Sequence, residues 1–146
     1  MSLPTARSIT HSHSGDERVM LTYEERFLRR KVLTTQGGTE FLVDLAQTTS
    51  LGGGDAFELE DGRLFEVIAA EEALLEVTGS DLTRLAWHIG NRHTPCQIEP
   101  GRLLIQSNHV LLDMLQKLGA TLREVTEPFT PEGGAYGHGR THGHSH

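Results

Sequence analysis

The 146-residue chain is 36% hydrophobic and 23% charged, with a formal net charge of −7, a soluble globular composition that fits one domain or two small ones. Its 13 basic residues are outnumbered by 20 acidic ones, so it lacks the positive surface that a nucleic-acid backbone requires. No stretch approaches the ~20 apolar residues that cross a bilayer, and Met1 to Asp16 lacks the apolar core of a secretory signal, so a cytoplasmic location is expected. Cys96 is the single cysteine, which excludes an intrachain disulfide and a thiolate cluster and leaves imidazoles to hold any metal.

Residues 1–16 are rich in Ser, Thr and His and read as a flexible N-terminus. Arg30 to Gln36 and Glu40 to Leu45 read as two strands joined through Gly37-Gly38, a hairpin signal. Ala56 to Leu59 and Leu64 to Ala70 repeat the pattern around Glu60-Asp61-Gly62 with apolar residues at period two. Residues 17–70 are therefore expected to form a small all-β domain.

From Glu71 the pattern changes. Ala73 to Thr78 is an apolar strand, and Leu82, Leu85, Ala86 and Ile89 mark one face of a helix capped by Ser80 and stopped by Gly90-Asn91. Cys96 to Ile98 and Leu103 to Gln106 flank Pro100-Gly101, a type II turn pair. Asn108 caps a second helix carrying Leu111, Met114, Leu115 and Leu118, closed by Gly119, and Thr121 to Thr126 supplies a last strand. The fold class expected is mixed α+β: the all-β domain, then a ferredoxin-like βαββαβ domain over residues 71–136. Residues 137–146 read as a His-rich flexible tail.

Nine histidines are present, and His138, His142, His144 and His146 crowd the last residues. Neutral imidazole is a good ligand for divalent nickel, copper and zinc, and the intervening Gly and Ser let a backbone fold round one ion. His93 follows the first helix, on a loop from which a side chain can reach an ion without disturbing a core. Near a two-fold axis one such histidine becomes two facing rings. His109 starts the second helix, where the positive dipole end disfavours protonation, and Asp113 lies on the same face to orient the ring. His88, beside Trp87, reads as partly buried structure, Cys96 as strand packing, and His11 and His13 as solvated positions. A phosphate-binding Gly-rich loop, a nucleophile elbow and a zinc-protease helix motif are all missing, so an enzyme is not expected.

Three runs carry a resemblance: Trp87-His88-Ile89-Gly90-Asn91-Arg92-His93-Thr94-Pro95-Cys96-Gln97-Ile98, Asn108-His109-Val110-Leu111-Leu112-Asp113-Met114-Leu115, and Pro128-Phe129-Thr130-Pro131-Glu132-Gly133-Gly134-Ala135-Tyr136. They are similar to the UreE family of urease accessory metallochaperones, over nearly the whole chain. The resemblance implies a homodimer whose first domain engages protein partners and whose second dimerises and binds metal. It implies delivery of Ni²⁺ to apo-urease through the urease accessory GTPase and the apoprotein complex. By the same resemblance His93 is the interface nickel ligand, one from each subunit, and His109 a secondary metal position. Some relatives have a histidine where this chain has Ser107. The tail histidines match by character only, and an ion shared at the axis can link dimers into a tetramer. Zn²⁺ and Cu²⁺ compete for such ligands in vitro. The alternative is a His-rich divalent-metal buffer or sensor without dedicated delivery.

Overall fold

The structure is a computed structural model in which residues 2–133 are described. Contacts divide the chain between Ala70 and Glu71 into two compact units, both mostly β, with two sheets and two helices among the described residues.

The first unit is built from β1 (Thr5–His11), β2 (Glu17–Leu21), β3 (Phe27–Thr34), β4 (Glu40–Ser50), β5 (Asp55–Leu59) and β6 (Leu64–Ala69). They form one sheet in the order β2-β6-β5-β1-β4-β3. The expected hairpins are β3–β4 and β5–β6, both antiparallel; Gly38 and Gly62 hold a φ of 92° that side-chain-bearing residues seldom adopt. Alternate residues face inward, and the rings of Phe57 and Phe65 meet Phe41 edge-on at 5.4 and 4.9 Å.

One expectation is corrected. Residues 1–16 are not a flexible lead-in, because β1 lies in the middle of the sheet, parallel to β4 and antiparallel to β5, with Ala6 fully buried. The register slips between Ala6 and Ser8, so the inward residues Ala6 and Ile9 stand three apart and hide the period of two. β2 was also not foreseen. It joins β6 in parallel, without the turn that advertises a hairpin.

The second unit runs β7 (Glu71–Thr78), α1 (Leu82–Asn91), β8 (Gln97–Glu99), β9 (Arg102–Gln106), α2 (His109–Lys117) and β10 (Thr121–Pro128). The sheet order is β10-β7-β9-β8, with every neighbouring pair antiparallel. Leu85 and Ile89 of α1 and Leu111 and Leu115 of α2 pack on Leu75, Val77, Leu103 and Ile105, alternate residues of the two central strands. Both helices therefore cover one sheet face. On the other, the Arg102 guanidinium bonds Glu99, Glu76 and Glu127 at 2.9, 3.0 and 2.7 Å, and Arg123 joins Glu76 at 3.1 Å. Two details differ from expectation: Asp81, not Ser80, caps α1 through its side chain, and α1 runs through Gly90-Asn91.

Candidate metal centre

His93 owes its position to the way α1 ends. Arg92 is the cap residue, and beyond it the His93 N–H donates to Gly90 O at 2.9 Å and the Thr94 N–H to Ile89 O at 3.4 Å. This pair of back-bonds is the Schellman closure, which needs a left-handed residue just past the cap. His93 supplies it at φ 58°, alone among the described residues other than glycine in having a positive φ. Glycine would take that conformation without a Cβ penalty. A non-glycine residue held there costs on the order of 1 kcal/mol and persists where its side chain is wanted.

The ring is half-buried in a groove lined by Gly90, Pro95, Cys96, Ile98, Glu132 and Gly133. Ile98 is largely exposed, as are Trp87 and Val110 elsewhere on the unit, so apolar surface is available to a neighbour. The chain returns to this groove after β10. Thr130 N–H donates to the Gln97 side-chain oxygen at 2.9 Å, and Glu132 N–H to Cys96 O at 2.9 Å. His138, His142, His144 and His146 lie outside the described residues.

Cys96 packs against the core of the second unit, as expected. Burial, with the Glu132 carboxylate second, pushes its thiol up to about 11, so it is a poor thiolate ligand at neutral pH.

His109 is the first residue of α2 and is exposed. Asn108 caps the helix by accepting from the Val110 and Leu111 N–H groups at 2.8 and 3.1 Å. The ring borders a groove of about 500 Å³ shared with Ser107, Leu112, Leu122 and Glu124. Asp113 does not orient it; its carboxylate pairs with Lys117 at 3.0 Å, one turn further on. His88 is half-buried and meets Trp87 edge-on at 5.0 Å. The described residues bring no three His, Cys, Asp or Glu side chains together in a metal-holding group. His93 and His109 line different grooves.

Two family models cover this chain: the N-terminal domain of the UreE urease accessory protein over residues 2–70 and its C-terminal domain over residues 72–146. The chain belongs to the UreE family. It is similar to the urease accessory protein UreE of Ruegeria pomeroyi, at 70% identity over the full length of both chains. It is 62% identical to that of a second Ruegeria strain, over 90% of this chain and 77% of the relative. With that of Cereibacter sphaeroides it shares 68% identity over 88% of this chain and 70% of the relative. UreE is a family of accessory proteins rather than enzymes. Among the described residues no helix is long and apolar enough to cross a membrane.

Sequence reasoning placed His93 on a loop but missed its left-handed backbone and the return of Glu132 and Gly133 to its side. The first had a signal: a helix face ending at Ile89 with no glycine at the left-handed position of its closure. The second had none, since the partner of β8 after Pro128 is set by the fold.

Proposed function

We propose that the chain is a homodimeric nickel metallochaperone that holds Ni²⁺ on His93 from each of two subunits and gives it to apo-urease during assembly of the active site. The observation that carries this reading is the His93 imidazole on left-handed backbone, in a groove that it shares with Cys96, Ile98 and Glu132. Membership in an accessory family of urease supports the destination.

Two imidazoles leave nickel short of its preferred four to six ligands, so tail rings, water or a partner's side chains complete the shell. An open shell suits a donor, because a recipient can add ligands before the donor lets go. His109 is a secondary position that loads or exchanges metal, and His138, His142, His144 and His146 are the variable recruiting arm. The strand order β10-β7-β9-β8 with both helices on one face supports a ferredoxin-like second unit that dimerises. The first unit docks the urease accessory GTPase and the apoprotein complex, all in the cytoplasm.

The test is transfer of Ni²⁺ to apo-urease at limiting nickel, read as urease activity. His93→Ala is expected to abolish most of the transfer, and truncation after Gly133 to slow it. If His93→Ala leaves transfer intact, the interface site is wrong; if the full chain binds Ni²⁺ but transfers none, the chain is a metal buffer.

A further inference from the structure

We propose that His11 and His13 in the first unit form a further divalent-metal site, with Asp55 as the carboxylate that orients one of its two imidazoles. The two rings lie 6.1 Å apart between centroids, edge to face at 73°. A ring that ligates a transition metal at about 2.1 Å has its centroid roughly 3 Å from the ion. Two exposed rings at this separation can therefore span one ion once each turns a nitrogen inward.

The backbone builds this pair. His11 closes β1 opposite Asp55, the first residue of β5, and the Ser12 N–H donates to Gly54 O at 2.7 Å, carrying the pairing one residue further. The chain bends at His13, and this turn sets its ring edge to face against that of His11. Asp55 Oδ1 lies 3.1 Å from His11 Nδ1, and Oδ2 accepts from the Gly52 N–H at 2.8 Å. With both oxygens engaged, the carboxylate is fixed by the glycine turn and holds Nδ1 as the donor, which turns Nε2 outward as the metal-binding nitrogen. Gly54, at φ 92°, makes room for the second ring: a Cβ there would stand 2.7 Å from His13 Cε1.

The chemistry selects an ion that favours imidazole nitrogen, such as Ni²⁺, Cu²⁺ or Zn²⁺, over Ca²⁺ or Mg²⁺. Asp55 positions and does not ligate. Two protein ligands with water in the remaining places make a weak, fast-exchanging site, one per chain. It is independent of His93.

Titration of the ¹⁵N-labelled full chain with Ni²⁺ alone, followed by amide spectra, tests this directly. The paramagnetic ion is expected to broaden the amides of Ser12, Ser14, Gly54 and Asp55. The double substitution His11→Ala/His13→Ala should remove that broadening and leave the broadening around Thr94 in place. Asp55→Asn should weaken the site about 10-fold or more, the usual effect of losing an orienting partner. The proposal is overturned if those four amides stay sharp in the unmodified chain at nickel levels that saturate the His93 surroundings. It is equally overturned if their broadening survives the double substitution.

Discussion

The two helices of the second unit end in the same way with different residues. After α2, the Gly119 N–H donates to Gln116 O and the Ala120 N–H to Leu115 O, both at 3.0 Å, and Gly119 takes the left-handed position at φ 88°. After α1, Gly90 and Ile89 accept the same pair of bonds and His93 takes that position at φ 58°. The closure at Gly119 is the one backbone energetics favours, and the closure at His93 is the costlier version. The difference teaches where stability has been given up for an imidazole at a fixed place. The strain also fixes the ring's direction, because a left-handed Cα carries its Cβ where a helical or extended residue would not.

The largest expected effect comes from removing the buried side chain that anchors the end of α1 beneath the His93 turn. Ile89 is fully buried and its carbonyl accepts from both Arg92 and Thr94. Ile89→Ala should cost about 2–5 kcal/mol in denaturant unfolding, the usual cost of deleting a buried aliphatic side chain, and should weaken metal binding as the closure loosens. Gly119→Ala comes next. Nothing lies within 4 Å of a Cβ there, so the cost is backbone conformation alone, about 1 kcal/mol. His93→Gly should do the reverse, raising stability by up to about 1 kcal/mol while removing the proposed metal ligand. Should it destabilise the chain instead, the strain at His93 is not what sets the two helix ends apart.

The smallest effect separates the helix ends from the far face of the sheet. Hydrogen bonds from Arg102 and then Arg123 hold the Glu76 carboxyl below its ordinary value of 4.5, and Arg102 does the same for Glu127. A carboxyl lowered in the folded state stabilises above its unfolded value, and that contribution is lost as pH falls below about 4.5 through the folded value. Tm should therefore drop on acidification below that point. Arg102→Met should lower Tm at neutral pH and flatten the drop, whereas His93→Gly should leave its slope unchanged.

Much of the second unit was legible in the sequence because each element carries its own punctuation. Asn108 and Gly119 bracket α2, Gly101 makes the β8–β9 turn at φ 113°, and the apolar faces follow period. The first unit was half legible. The two hairpins announce themselves, while β1 and β2 pair with strands distant in sequence, and β1's slip between Ala6 and Ser8 erased its alternation. His11 and His13 are exposed, as the sequence suggested, but only the β1–β5 register brings Asp55 to His11. At the candidate metal centre His93 was legible as a residue, but its conformation and the groove completed by Glu132 and Gly133 are products of the folded chain.

The most direct test of His93 as the nickel ligand is native mass spectrometry of the full chain during Ni²⁺ titration, compared with His93→Ala. The prediction is a dimer whose tightest ion, one per two chains, disappears in the variant, leaving only weaker binding. A variant that keeps that ion at the same stoichiometry and affinity would contradict the assignment and shift the carrier function to the tail histidines.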